Sequence, residues 1–132
     1  MKTYIKALRS YVPGKRLTND DLAKMVDTTD EWIYSHTGIK NRHIVDEKES
    51  ASDIAYIPCK QLIEDTGIDP DSIDLIILAT TTPDYIGFPS TACLIQEKIK
   101  ARNAGAMDIT VACSGFIYGL KMASSLVKTG AS

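Results

Sequence analysis

The sequence predicts an α/β fold, because short apolar runs alternate with segments of helical periodicity along the chain. One apolar run, Ile73–Ala79, is nearly continuous and rich in β-branched residues, which is typical of a parallel-sheet strand that is covered on both faces. The length of 132 residues suits one folded unit. With 44% hydrophobic and 24% charged residues, the composition excludes a disordered or low-complexity chain.

A strand followed by a helix is predicted at the amino-terminal end of the sequence. Thr3–Val12 reads as a first strand, which Pro13 and Gly14 would end. Thr18 then stands three residues before Asp21, which is the spacing of a capping box at a helix start. We therefore expect a first helix to begin directly after Thr18.

The next predicted helix carries the single tryptophan of the chain. Thr28 and Glu31 repeat the capping spacing and Gly38 is a typical helix stop, so a helix of about two turns is expected around Trp32. Both Thr28 and Trp32 therefore have a purely structural interpretation, as a helix cap and as a helix anchor.

Two longer helices are predicted on either side of the apolar strand. Residues 51–67 place apolar side chains at helical spacing, although Pro58 is expected to bend this helix or to delay its start. After the strand, Pro89 and Ser90 open a further helix that runs to Lys100.

A second strand and a last helix are predicted for the remainder of the sequence. The strand is Ala106–Ala112, and the helix Phe116–Lys128 ends at Gly130. Small side chains recur every four residues at this helix, which would let another helix approach closely; the alternative is a buried segment of poor helix formers. They are Gly115, Gly119 and Ala123.

Charge and hydropathy exclude several functional classes. Fifteen basic against seventeen acidic residues give a net charge of -2, so no bulk attraction to nucleic acid or to an anionic membrane is expected. The longest charge-free windows, 85–96 and 109–120, hold twelve residues each, short of the ~20 that a transmembrane helix needs. Because Lys2, Lys6 and Arg9 interrupt the position of an export signal, the cytoplasm is the expected compartment.

The cysteines indicate free thiols. Three cysteines without a CxxC pair favour neither a disulfide framework nor a zinc site. Cys59 and Cys93 fall on apolar helix faces, where core filling is expected. Cys113 stands between a predicted strand and a predicted helix, where ligands collect in α/β folds.

Cys113 is the candidate nucleophile. A helix amino terminus favours a thiolate and offers N–H groups to a developing oxyanion. Even the upper value of this effect, roughly 2 kcal/mol, leaves only about half of an ordinary thiol ionised at neutral pH. A further partner such as a histidine is therefore expected, but His36 and His43 are distant in sequence. The alternative is a small core residue.

Several sequence blocks, in order along the chain, carry a family resemblance. They are TNDDL at 18–22, MVDTTDEWI at 25–33, TGIKNRHI at 37–44, IDLIILATT at 73–81, FPSTACLIQ at 88–96 and ACSGF at 112–116. Together they resemble the β-ketoacyl-acyl-carrier-protein synthase III family of the thiolase superfamily. The blocks cover the sequence from end to end.

The resemblance implies a thiolase-like fold, in which two similar halves stack as a five-layered α/β/α/β/α sandwich. Residues 1–132 would be one amino-terminal thiolase-like domain, an incomplete first half that stops before its last strands, with the carboxy-terminal half absent. The implied reaction starts fatty-acid synthesis. Acyl-CoA and malonyl-acyl carrier protein give 3-oxoacyl-acyl carrier protein, CO2 and CoA, with acyl-CoA as a substrate and no cofactor.

The same resemblance implies a role for five residues. Cys113 would accept the acyl group, Trp32 would stack on the CoA adenine and Thr28 would contact the nucleotide. His36 stands where an arginine usually faces the CoA phosphates, and a mostly uncharged imidazole makes no bidentate phosphate clamp. Phe88 would reach across a homodimer interface to line the partner's acyl pocket, the alternative being an ordinary core residue.

Other functions stay open at this point. The family's catalytic histidine and asparagine lie in its second half, so this chain alone is not expected to complete the condensation. A non-catalytic fragment or interaction module, which needs a partner to cover its core, is one alternative. Another condensing enzyme of the superfamily, such as a polyketide starter synthase or a hydroxymethylglutaryl-CoA synthase, is the other.

Overall fold

The computed structural model describes residues 2–131 and confirms the α/β class. The chain divides into two compact units. The small unit is formed by residues 12–49, and the large unit by residues 1–11 together with residues 50–132.

The small unit pairs two short strands around two helices. Its strands are antiparallel, with Lys15 opposite Ile44. Neither strand is predicted from the sequence, because the four-residue segments KRLT and NRHI are too short and too polar to show an alternating pattern. In chain order the elements are β1 (Lys15–Thr18), α1 (Asn19–Ala23), α2 (Asp30–Thr37) and β2 (Asn41–Ile44).

Local capping sets the start of α1 as predicted. The Thr18 hydroxyl oxygen accepts from the Asp21 N–H at 3.1 Å, and the Thr18 N–H donates to an Asp21 carboxylate oxygen at 3.3 Å. The hydrogen bond from the Thr18 side chain lowers the pKa of Asp21 to about 2, with Lys24 acting in the same direction. Both partners of this capping box are formed, so the prediction is confirmed.

The start of α2 differs from the prediction by one residue. Thr29, and not Thr28, is the cap, and its hydroxyl oxygen accepts from the Trp32 N–H at 3.1 Å. Because α2 begins at Asp30, Glu31 is the second helical residue and stands outside the capping-box position. The structural role assigned to Thr28 as a cap was therefore wrong. The end at Gly38, which has φ +70°, is confirmed.

Asn19 holds the small unit together. Its side chain is almost completely buried at 1% exposure. Its amide nitrogen donates to an Asp30 carboxylate oxygen and to the Ile39 carbonyl, each at 2.7 Å, and its amide oxygen accepts from Arg42 at 2.7 Å. These bonds join the start of α1, the start of α2 and strand β2, so the polar block at 18–22 has a structural function.

The large unit is built on a parallel pair of strands joined by a helix. Leu75 pairs with Gly105 and Ala79 with Ile109. The predicted order of helices and strands after residue 50 is confirmed, with small shifts of the ends. The elements are α3 (Ala51–Thr66), β3 (Leu75–Ala79), α4 (Thr91–Ile99), β4 (Gly105–Ile109) and α5 (Gly115–Thr129), with 3-10 turns at Pro70–Ser72 and Ala112–Ser114.

The core of the large unit lies around α4. Ile95 and Ile99 are buried in this helix, and α3 packs against it through residues that include Ile63 and Cys59. Burial raises the pKa of the Cys59 thiol. Cys93 is half-buried in α4, and its sulfur accepts from the Ser90 hydroxyl at 3.1 Å. The core role expected of Cys59 is confirmed.

Helix α3 begins at Ala51 despite the proline inside it, so its start is not delayed. Ser50 and Asp53 form a capping box, in which the Ser50 N–H and hydroxyl both donate to the Asp53 carboxylate, at 3.0 and 2.8 Å. Lys98 of α4 donates to the other Asp53 oxygen at 2.6 Å. The Lys98 hydrogen bond, followed by those from Ser50, holds the pKa of Asp53 well below its usual range.

This anchored carboxylate predicts a pH dependence. A carboxyl group whose folded pKa is depressed stabilises the fold above its unfolded pKa of about 3.9, and this contribution is lost as the pH falls further. We expect Asp53→Asn to lower the urea midpoint at pH 7. Between pH 4 and pH 2, the urea midpoint of this variant is expected to fall less than that of the unchanged chain. The matched control is Glu64→Gln, which removes an exposed pair with Lys60 at 3.7 Å. Equal pH profiles for both variants would refute this assignment.

The predicted first strand, Thr3–Val12, was wrong. This segment has no regular secondary structure, and large apolar side chains such as Tyr4 and Ile5 are exposed. Its contacts with the rest of the large unit include a hydrogen bond between the Thr3 and Ser124 hydroxyls at 3.0 Å. A strand requires hydrogen bonds to a neighbour, and within residues 2–131 no strand pairs with this segment.

The small-residue stripe of α5 faces the sheet rather than a helix, so the predicted partner was wrong. A Cβ atom added at Gly115 would lie 2.7 Å from the Cβ of Ala79 in β3. At Gly119 it would lie 3.7 Å from Ile109 and 3.9 Å from Ile77. The absence of a side chain at Gly115 therefore lets α5 start directly against the end of β3.

Candidate active site

Cys113 lies at the junction between β4 and α5, as predicted. The strand ends at Ile109, and Ala112–Ser114 forms a 3-10 turn that leads directly into the helix at Gly115. The Cys113 side chain is exposed. Cys113 therefore does not belong to the core that the described residues form.

The backbone directly before Cys113 is in an unusual conformation. Ala112 has φ +44°, in the left-handed region that residues with a Cβ atom avoid, at a cost of roughly 1–2 kcal/mol. The turn is closed by a hydrogen bond of 3.2 Å from the Ser114 N–H to the Val111 carbonyl. Strain of this kind is concentrated at functional sites, and here it occurs at the residue directly before Cys113.

Cys113 borders an apolar cleft of about 830 Å³ between β3 and α5. From β3 the lining includes Ile77 and Ala79, and from α5 it includes Phe116 and Leu120. Such a lining favours an aliphatic group, and the cleft lies within the usual volume range of small-molecule sites. Cys113 therefore borders a space that is large enough for a short acyl chain.

The large unit supplies no histidine to act as a base for this thiol. Both histidines of the sequence, His36 and His43, belong to the small unit. His43 lies with Nδ1 2.6 Å from the Pro13 carbonyl oxygen. No cluster of metal-ligating side chains is found in the part of the chain that the structure describes.

Phe88 lies in the loop 80–90, which connects β3 to α4 without a helix or strand. Its side chain is 87% exposed, and its neighbours Ile86 and Tyr85 are exposed as well. The peptide bond between Phe88 and Pro89 is cis. Phe88 therefore does not belong to the core that the described residues form.

Trp32 and His36 stack on each other on the surface of α2. Their ring centroids lie 4.4 Å apart at an interplanar angle of 23°, and Trp32 is 58% exposed. His36 Nδ1 lies 2.7 Å from the Trp32 carbonyl oxygen, which only accepts, so Nδ1 carries a proton in this contact. Neutral His36 then presents Nε2 as an acceptor, which does not suit a phosphate oxygen. Thr28, half-buried, precedes the cap of the same helix.

Two carboxylates that were not predicted from the sequence bind the loop before α4 and the start of this helix. Asp108 lies in β4 and accepts from the N–H groups of Thr91 and Ala92 at 2.7 and 2.8 Å. Asp84 accepts from the Ser52 N–H at 2.9 Å. Asp108 itself was the one signal in the sequence, because a charged residue inside a strand that is covered on both faces needs a partner.

Several known proteins are similar to this chain in sequence and in fold. A family profile described as 3-oxoacyl-[acyl-carrier-protein] synthase III matches residues 107–132, which include Cys113. A β-ketoacyl-[acyl-carrier-protein] synthase III from Xanthomonas axonopodis is 53% identical over 121 residues, covering 92% of this chain. The crystal structure of 3-oxoacyl-[acyl-carrier-protein] synthase III from Aquifex aeolicus matches with a TM-score of 0.80 and 50% identity over 91% of this chain.

Over almost its whole length, this chain is similar in sequence to β-ketoacyl-[acyl-carrier-protein] synthase III. It spans 37% of the length of the Xanthomonas synthase III and 38% of the Aquifex synthase III. A priming β-ketosynthase from a polyketide biosynthetic pathway has a similar TM-score of 0.79 but only 31% identity, with 92% of this chain and 36% of that one covered. The synthase III likeness is therefore the stronger one in sequence.

Proposed function

We propose that this chain carries the acyl-accepting half-site of a condensing acyltransferase that initiates fatty-acid synthesis. Acyl-CoA would transfer its acyl group to Cys113, and malonyl-acyl carrier protein would then receive it with loss of CO2. The observation that carries the proposal is the exposed Cys113 thiol at the start of α5, beside the apolar cleft.

For the first step of this reaction, the large unit contains the thiol and the amino terminus of α5, but no histidine to take up the thiol proton. The Cys113 thiolate attacks the thioester carbonyl, a new carbon–sulfur bond forms, and the CoA thiolate leaves with the electron pair and takes up a proton. The amino terminus of α5 favours the negative charge, both on the attacking sulfur and on the oxyanion. The condensation step requires the histidine and asparagine that the resemblance places outside this sequence.

The nucleotide of acyl-CoA is proposed to bind at α2. Trp32 offers an exposed indole for stacking on adenine, and Thr28 stands beside the helix cap for a nucleotide contact. His36 lacks the fixed positive charge of an arginine, and its ring is already stacked on Trp32. We therefore expect weaker binding of the CoA phosphates than in a protein with arginine at this position.

The loop that carries Phe88 is the proposed dimer contact. Its exposed side chains Tyr85, Ile86 and Phe88 form an apolar tip, which suits a second copy of the chain better than water. Phe88 would line the acyl pocket of that copy.

The proposed reaction uses acyl-CoA as a substrate and requires no cofactor. The proposed compartment is the cytoplasm.

Two alternatives have their own observations. Exposed apolar side chains on α5, among them Phe116 and Ile117, suit a non-catalytic interaction module whose partner covers this helix. The 31% identity to a priming β-ketosynthase suits a starter enzyme of polyketide synthesis. The higher synthase III identity, 50 to 53%, favours the fatty-acid reaction.

Mass spectrometry after incubation with acetyl-CoA tests the proposal. The expected result is one acetyl group, mapped by peptide analysis to Cys113 and released by hydroxylamine. A folded chain that acquires no acetyl group would reject the enzyme and favour the interaction module. Far-UV circular dichroism on the same sample verifies that the chain is folded.

A further inference from the structure

Loop 80–90 connects β3 to α4 and contains no helix or strand that would fix its position. At its tip, Ile86 is fully exposed and Phe88 is 87% exposed, so neither side chain anchors the loop in the core. Polar contacts of other residues in the loop therefore contribute to its position.

Two residues, Asp84 and Thr91, make the hydrogen bonds that hold the part of the loop around its tip. The Asp84 N–H donates to the Thr91 hydroxyl oxygen at 2.9 Å, which closes residues 84–91 into a ring. The Asp84 carboxylate accepts from the Ser52 N–H at 2.9 Å, which ties the same point to the first turn of α3. Between Asp84 and Thr91, Gly87 has φ +94°, a backbone conformation that residues with a side chain avoid.

Thr91 is in turn bound to the strand that leads to the candidate nucleophile. It is completely buried, at 0% exposure. Its N–H donates to Asp108 at 2.7 Å, and the second oxygen of Asp108 accepts from the Ala92 N–H at 2.8 Å. Asp108 lies in β4, five residues before Cys113. A continuous set of hydrogen bonds therefore runs from the loop to the cysteine strand.

The charges around Asp84 maintain these contacts at neutral pH. Burial by itself raises the pKa of Asp84, but the hydrogen bonds from Ser52 and Ser50 and the charge of Lys98 outweigh it, and the pKa lies below its usual range. Asp84 is thus an ionised acceptor, and hydrogen bonds to an ionised group are the stronger kind.

We infer that Thr91 and Asp84 are positioning residues, which hold loop 80–90, and Phe88 with it, in a fixed place relative to the strand that ends at Cys113. The inference rests on the proposed function in the role given to Phe88. The hydrogen bonds do not depend on that role. They predict that loss of the Thr91 hydroxyl releases the loop while the surrounding sheet stays intact.

Hydrogen exchange on Thr91→Val tests this inference. Valine has the shape of threonine but offers no acceptor to the Asp84 N–H, and it keeps the backbone bond to Asp108. Since one hydrogen bond is lost, exchange of the Asp84 amide is expected to accelerate roughly three- to tenfold, with β3 and β4 amides unchanged. Thr91→Ser, which restores the hydroxyl, is expected to return the wild-type rate.

Thr66→Val provides the matched control. Thr66 is a partly buried threonine of the same unit, and its hydroxyl donates to the Leu62 carbonyl at 2.6 Å, away from the loop. It is expected to leave the Asp84 exchange rate unchanged. The inference would be overturned if Thr91→Val and Thr66→Val had the same effect, or if exchange accelerated equally across the large unit.

Fluorine NMR extends the test to the side chain of interest. The sequence contains two phenylalanines, Phe88 and Phe116, so labelling with 4-fluorophenylalanine gives one signal for the loop and one for α5. Thr91→Val is expected to shift and narrow the Phe88 signal and to leave that of Phe116 in place. An unchanged Phe88 signal would overturn the inference. No acyl-CoA enters either measurement, so the result is independent of whether Cys113 accepts an acyl group.

Discussion

Replacing Cys113 with alanine is expected to reduce acetyl labelling by acetyl-CoA to background. The reason is that the exposed Cys113 thiol can reach the thioester, while the apolar cleft that Cys113 borders can hold the acyl chain. Cys93→Ala is the matched control, because the Cys93 sulfur is half-buried and accepts a hydrogen bond from Ser90. It is expected to keep wild-type labelling.

The pattern across the two cysteine variants decides the assignment. Labelling that persists in Cys113→Ala and disappears in Cys93→Ala would transfer the acyl-accepting role to α4. Labelling lost in both variants, with both chains folded, would indicate that the site depends on general packing rather than on one thiol.

Replacing Gly115 with alanine is expected to destabilise the large unit and to displace Cys113. The added Cβ would lie 2.7 Å from the Cβ of Ala79, a short side chain that has no alternative rotamer. Overpacking of this kind typically costs about 1–3 kcal/mol, which exceeds the gain of roughly 0.5–1 kcal/mol from alanine in a helix. Urea unfolding should show a lower midpoint, and acetyl labelling should decrease.

Gly119→Ala on the same helix separates packing from helix propensity. The added Cβ there would make ordinary contacts of 3.7 and 3.9 Å with Ile109 and Ile77. We expect this variant to be as stable as the original or up to about 1 kcal/mol more stable. If both alanine variants were stabilised to the same extent, the close contact between α5 and β3 would be refuted.

Elements that depend on local residues were predictable from the sequence. The capping box at Thr18, the stops at Gly38 and Gly130 and the apolar strand β3 all occur where the residues indicated. Each of these signals acts within one turn or one strand. The junction at Cys113 was predictable for the same reason, because the end of one element and the start of the next are adjacent in the chain.

Features that depend on distant partners were not predictable in the same way. Strands β1 and β2 are short and polar, and their pairing is supported by the contact between Asn19 and Arg42, which are 23 residues apart. The segment Thr3–Val12 has the composition of a strand but no strand neighbour among the described residues. Local composition indicates what a segment can form, and the available partners determine what it does form.

The loop anchors illustrate the same limit within the candidate site. Thr91 stands in a block that the family resemblance singled out, yet its partners Asp84 and Asp108 lie seven and seventeen residues away. Only the folded chain brings these groups together. The positions of Cys113 and of the Phe88 loop are therefore linked by contacts that periodicity does not reveal.

The accessibility of the Cys113 sulfur is tested most directly by alkylation of all three cysteines with iodoacetamide, with and without urea. For each thiol, peptide analysis gives the ratio of the folded to the unfolded rate. We predict a ratio near unity for Cys113, a lower ratio for Cys93, and the lowest ratio for Cys59, which packs against the core. Protection of Cys113 to the same degree as Cys59 would contradict the account, because an enclosed sulfur cannot receive an acyl group from CoA.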